Sequence, residues 1–308
     1  VLGTLLLSAC SLPPLEQRTV STARDMESAK QTKLGQALAD DLAQHAGLNG
    51  IYKLDDAREA FAARAQLARM SERTLDVQYY IWRGDTTGML LLDELRAAAD
   101  RGVRVRLLLD DFGTSGLDSE LRLLSQHEHI EVRLFNPSML RTPKLLGHLA
   151  NPQRANRRMH NKVFSADNQA TIIGGRNVGD EYFGATEGVL FADLDVLAVG
   201  PIVNEVSLDF DRYWASGSAF AVEDVISELS DAASAETRAR MQAVKQAEHA
   251  RDYIASIERG SFMQDLYAHR LAFEWAAVKM VSDDRPRAWG ARKKRRCCCR
   301  SCRRRWGR

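Results

Sequence analysis

Residues 157–184 read RRMHNKVFSADNQATIIGGRNVGDEYFG, the stretch of this chain richest in side chains that could do chemistry. His160 and Lys162 are two apart, so on an extended segment over 159–165 both side chains leave one face. A neutral imidazole can attack a phosphodiester phosphorus directly, and a neighbouring ammonium can carry charge on the non-bridging oxygens. That chemistry is phosphoryl transfer through a covalent histidine, and it asks for no metal and no other cofactor. Asp167 ends the strand, Asn168 supplies a turn, and an apolar strand over 170–173 leads to Gly174 and Gly175, where the backbone can come close to a ligand. Asn177 is placed as the N-cap of a helix over 178–183, with the first free N–H groups of that helix turned toward an anion. Lys162, Gly174, Gly175 and Asn177 are therefore expected to bind phosphate. A hydrogen-bonded His–Lys strand pair would account for the first two residues but not for the Gly-Gly-x-Asn spacing.

The elements that must position these residues follow from periodicity. Helices are expected over 33–45, 57–71, 88–101, 117–126 and 201–215, and strands over 74–82, 103–109, 130–135 and 191–199. Strand, helix and strand in alternation predict an α/β fold with a largely parallel mixed sheet and helices on both faces. Tyr79, Tyr80 and Trp82 read as core and rim. Asp110 and Asp111 fall at a strand's carboxyl end, where ligands gather. As adjacent side chains diverge and no His or Cys cluster joins them, loop capping is the better reading than a metal site. The connection over 136–156 is long enough to be functional, and Arg141, Lys144, Arg154, Arg157 and Arg158, in and just beyond it, suit anionic headgroups. Asp193 and Asp195 share a strand face. A carboxylate there can fix the imidazole tautomer that leaves the other nitrogen free to attack; both could instead cap neighbouring backbone.

Composition adds limits. Hydrophobic residues make up 45% of the 308, enough for a sizeable core. The 43 Lys and Arg nearly balance 41 Asp and Glu, but twelve of the basic residues lie in 285–308, so the body is acidic. Cys10 stands apart from Cys297, Cys298, Cys299 and Cys302, which excludes a disulfide framework in the body. The tail over 285–308 reads as an out-of-frame product. Its Cys299–Cys302 spacing would suit zinc, but three consecutive cysteines wrap one tetrahedral ion poorly.

The pattern H-x-K-x4-D-x6-G-G-x-N, met by His160, Lys162, Asp167, Gly174, Gly175 and Asn177, resembles the signature of the phospholipase D superfamily. LDVQYYIW, GVRVRLLLDD, RRMHNK, GGRNVGDEYFG and ADLDVLAVGP resemble, more narrowly, the lipoprotein branch of bacterial cardiolipin synthases. The resemblance implies catalytic roles for His160, Lys162, Asp167 and Asn177, with Asp193, or second Asp195, as the acidic partner of the histidine. It implies an anionic phospholipid substrate rather than nucleic acid, and two lobes with one motif each. One such motif is present here, so the expected boundaries are a signal remnant over 1–10, a tether and outer helix over 11–50, and the lobe over 51–217. A helical connection and the start of a lost second lobe would occupy 218–284, with the new strand over 271–281, and the basic tail 285–308. The missing motif could come from a homodimer; a single-motif homodimeric phosphodiesterase or nuclease, and a lipid-binding remnant without activity, are the other readings. Leu7-Ser8-Ala9-Cys10 resembles a lipobox, which implies lipidation of Cys10 and anchoring in the bacterial cell envelope, at the outer membrane facing the periplasm.

Overall fold

The structure, a computed structural model, describes residues 13–15, 18–23, 26–141, 157–185, 191 and 193–282. Cys10, Lys144, Arg154 and the tail fall outside them. Helices α1 (Met26–Ala29) and α2 (Lys33–Gln44) precede β1 (Asn49–Leu54). Then come α3 (Ala57–Met70), β2 (Thr74–Ile81), α4 (Thr86–Asp100), β3 (Arg104–Gly113), α5 (Asp118–Leu124) and β4 (Ile130–Phe135). The second half holds β5 (Val163–Ala166), β6 (Ala170–Gly174), α6 (Asp180–Phe183), β7 (Asp195–Val199), α7 (Pro201–Trp214) and β8 (Ala219–Ala221). It closes with α8 (Val222–Val225), α9 (Asp231–Gln246), α10 (Glu248–Arg259), α11 (Phe262–Tyr267) and β9 (Glu274–Ala276).

Among the described residues the strands form one sheet in the order β8-β4-β3-β2-β5-β6-β7-β1-β9. The α/β class, the mixed sheet and the helices on both faces are as expected. The parallel share is smaller: only β2, β3 and β4 run parallel, and every other pairing is antiparallel. The reason is local. Helical crossovers return the chain for β3 and β4, whereas Asp167 and Asn168, both at φ near +50°, make the tight turn that folds β6 back on β5.

Alternation along β3 decides which side chains face which layer. Leu107 and Leu109 join the main core beneath α3 and α4, while Leu108 joins Met159, Phe210 and Trp214 under α7. Helix starts are set by side-chain caps: Asp56 accepts the Glu59 N–H at 2.8 Å, and Asp85 accepts that of Gly88 at 3.1 Å.

Three segments differ in role from the sequence reading. The helical region after 218 packs onto the lobe through α10, whose Ala250, Tyr253 and Ile257 are buried in the main core. The strand expected over 271–281 shortens to β9, and it pairs antiparallel with β1 at the edge of the same sheet. Residues 18–23, read as tether, are bound: Arg133 donates to the Thr19 carbonyl at 2.6 Å and Arg106 to that of Ser21 at 3.0 Å.

Candidate active site

The carboxyl ends of β2 and β3 meet the start of β5 and the β6–β7 turn at one end of the sheet's central strands. Gln78 pairs with Val163, Val163 with Ile173, and Gly174 with Asp195. One residue before Val163, Lys162 is therefore level with Gly174 and Asp195. This register, and not the sequence spacing alone, assembles the site.

His160 and Lys162 are brought together. Lys162 Nζ lies 3.2 Å from His160 Nδ1 and donates to the His160 carbonyl at 2.8 Å. The histidine is exposed and the lysine buried. Partial burial, and then the Lys162 charge, hold the imidazole below its ordinary pKa. Burial also lowers the Lys162 ammonium, against the opposing pull of Asp193 and Asp195. Tyr80 completes the cluster: its ring centroid is 4.4 Å from that of His160 and 5.6 Å from Lys162 Nζ. Of the three aromatic residues expected in core and rim, Tyr79 and Trp82 are core and Tyr80 faces the site.

Asp167 is not brought to the site. It sits at the opposite end of β5, roughly 20 Å along an extended chain from His160. Its buried carboxylate accepts the N–H groups of Glu72 at 3.0 Å, Arg73 at 2.8 Å and Thr74 at 2.9 Å. It therefore anchors the start of β2, away from His160.

Gly174 and Gly175 serve the protein's own backbone. A Cβ at Gly174 would fall on the Asp195 carboxylate, and one at Gly175 on that of Asp193. The Gly175 N–H is donated to the Leu194 carbonyl at 3.0 Å. The pair thus admits the approach of β7, and the Gly175 N–H expected to face phosphate is spent on Leu194. Asn177 does not cap a helix: α6 begins at Asp180, and the cap residue Gly179 makes no side-chain bond. Instead Asn177 Oδ1 accepts the Ile81 N–H at 3.1 Å, and its amide bonds the Tyr182 hydroxyl. It is fixed beside the strand end that carries Tyr80.

Asp195 is buried and bonded to Arg64 Nη2 at 2.7 Å, with Arg176 Nη1 at 3.6 Å. That removes it as partner of His160. Asp193 is half-buried against Gly175, and its charge acts on Lys162; the group beside His160 Nδ1 is Lys162, where a carboxylate was expected. Sequence reasoning missed Arg64 and Arg176. The signal for Arg64 was an arginine on the apolar face of an alanine-rich helix, which requires a buried partner. Asp110 and Asp111 do cap loops, and Arg141 is spent on Asp111 and Asp118. Among the described residues no group of three or more His, Cys, Asp or Glu could hold a metal.

An exposed neutral imidazole, a buried ammonium and a fixed amide at one strand edge suit nucleophilic attack on a phosphodiester. Residues 65–214 match the family model described as cardiolipin synthase, phospholipase D-like domain. The chain is 45% identical over 266 residues to cardiolipin synthase C of Escherichia coli, covering 85% of this chain and 55% of that one. It is 33% identical over 169 residues to a cardiolipin synthase of Staphylococcus aureus, covering 54% and 33%. Among solved structures it is similar to phosphatidylserine synthase of Haemophilus influenzae, with a TM-score of 0.45, 14% identity, and 68% and 47% of the chains covered. The chain thus spans about half the length, or less, of these curated relatives.

Proposed function

We propose, because the chain belongs to the phospholipase D superfamily, that it carries half of the active site of a phosphatidyltransferase that makes cardiolipin from phosphatidylglycerol and another phospholipid. The observation that carries this reading is the His160–Lys162 pair, an exposed imidazole with lowered pKa whose Nδ1 lies 3.2 Å from a buried ammonium.

In the resting site the ammonium donates to Nδ1, so the ring proton sits on Nε2. Phosphate binding draws Lys162 onto the non-bridging oxygens, and the ring proton passes through solvent from Nε2 to Nδ1, which donates to Asp193 and leaves the Nε2 lone pair free. Nε2 then attacks the phosphatidyl phosphorus. The P–N bond forms, the P–O bond to the departing glycerol breaks, and a second histidine hands that oxygen its proton. The acceptor lipid's hydroxyl next attacks phosphorus and gives its proton to the second histidine as the P–N bond breaks. Water in its place gives hydrolysis. The second histidine belongs to a second copy of the motif, on another lobe or on another copy of this chain. Lipidation at Cys10 would hold the site at the bacterial envelope; mass spectrometry of membrane-fraction protein tests it, and an unmodified Cys10 there rejects it.

The reading is tested by incubating the chain with phosphatidylglycerol labelled at phosphorus and quenching in base. Acid-labile label on the wild type and none on His160→Ala is expected. Label retained by the variant rejects His160 as nucleophile, and labelling by an oligonucleotide but not by the lipid favours the nuclease reading. Turnover by this chain alone is expected to be slight. A rate that grows with the square of its concentration would place the second histidine on a second copy.

A further inference from the structure

The nucleophile lies just outside the sheet. Residues 157–162 precede β5 and have no strand assignment, so no ladder holds His160 in place. Side chains grip this stretch instead, among them Asp209, which accepts from Asn161 Nδ2 at 3.3 Å. Asn136 Nδ2 donates to the Arg157 carbonyl at 2.6 Å, and Asp110 Oδ2 accepts the Met159 N–H at 2.9 Å. Met159 is the residue before His160, and its side chain is buried under α7, in contact with Gln78.

Asp110 is built for this grip. Its carboxylate is fully buried at the end of β3, and its other oxygen accepts the Phe112 N–H at 3.0 Å and Arg158 Nη1 at 3.0 Å. The Arg158 guanidinium also lies 5.3 Å over the Phe112 ring, so carboxylate and ring hold it from two sides. Arg158 is thereby committed to the protein's own anion. Hydrogen bonds to an ionised acceptor are the strong ones, and here two backbone N–H groups and one guanidinium converge on a single carboxylate. We infer that Asp110, with Arg158 as its counter-ion, is a positioning residue that sets the height and direction of His160 against Tyr80 and Lys162.

This inference rests on the phosphohistidine reading for its consequence in catalysis, but not for its geometry. Burial raises the Asp110 pKa to about 6, against the pull first of Arg158 and then of the bonded N–H groups. The folded value lies above the unfolded one of about 3.9. The stability linked to this group is therefore present below about pH 4 and lost as pH rises through about 6. An ionised Asp110 at neutral pH works against stability, which fits a carboxylate retained for what it positions.

The test uses the 308-residue chain and reads His160 itself. Its imidazole is titrated by nitrogen-15 NMR in the wild type, Asp110→Asn and Asp110→Ala, with thermal melts at pH 7.5. The wild-type midpoint is expected below 6.5, the ordinary value. In Asp110→Ala it should return toward that value as the ring leaves Lys162. Asp110→Asn, whose amide oxygen still accepts from Met159, should fall between the two and melt no lower than the wild type. The rate of phosphohistidine formation should drop about 10-fold in Asp110→Asn and about 100-fold in Asp110→Ala, the scale of a misplaced reacting group. A midpoint and rate in Asp110→Asn equal to wild type overturn the inference, whether or not the alanine variant folds. If the wild type forms no phosphohistidine, the proposed chemistry fails, and the midpoints alone decide the positioning role.

Discussion

Lys162 Nζ lies 3.2 Å from His160 Nδ1 and 2.8 Å from the His160 carbonyl oxygen, so the two motif residues touch directly. A cation held there is placed to meet the oxygens of the phosphorus that His160 attacks. Lys162→Ala should slow phosphohistidine formation by about 10²-fold, a loss of a few kcal/mol of transition-state stabilisation. A weaker apparent affinity at unchanged rate would show that Lys162 serves uniform binding instead. EDTA should leave the rate unchanged; inhibition that zinc or magnesium reverses would count against the mechanism.

The same pair predicts a pH profile. Attack needs neutral His160, whose pKa is lowered by partial burial and by Lys162. Activity should therefore persist below the ordinary imidazole value of about 6.5 and fall as pH drops further. In Lys162→Gln the His160 midpoint should move upward, because a like charge has gone. On the alkaline side Lys162, lowered by burial, should lose its proton below its usual range of about 10.4. Rates measured from pH 4 to 10 check both limbs; an acid limb that Lys162→Gln leaves in place contradicts the coupling.

Asp167→Ala should act on stability and not on the chemical step. It strips the acceptor from the N–H groups of Glu72, Arg73 and Thr74. Stranding them costs on the order of 3 kcal/mol. A thermal melt should show the loss, while the phosphohistidine rate per folded molecule stays within a few-fold of wild type. A melt unchanged from wild type with catalysis abolished would return Asp167 to the active site.

Arg64→Met should be among the most damaging substitutions distant from the nucleophile. Asp195 is buried beside it, and losing the 2.7 Å pair leaves the carboxylate with the Arg176 N–H at 3.1 Å and the Arg176 guanidinium at 3.6 Å. Breaking a buried pair from one side costs about 3–5 kcal/mol. The double variant Arg64→Met with Asp195→Leu should recover part of that in a denaturant melt; no recovery would show that the arginine acts through packing alone.

The sequence by itself determined much of this protein. His160 and Lys162 were legible because two residues on an extended chain share a face whatever surrounds them. The helices from α2 to α5 and the strands β2 and β4 were legible because their apolar periodicity is strong and their caps are local, as with Asp56 and Asp85. Tertiary structure alone decided the rest. Asp167 belongs to the β2 start, Asn177 to the Ile81 N–H, and the two glycines to the approach of β7. The short strands β1 and β8 exist because distant partners pair with them. Arg64 reaches Asp195 across 131 positions, and Asp110 reaches Met159 across 49. A motif specifies which groups a chain carries. Where a buried carboxylate or amide spends its hydrogen bonds depends on which distant N–H groups folding strands beside it, because burial leaves no water to satisfy either one.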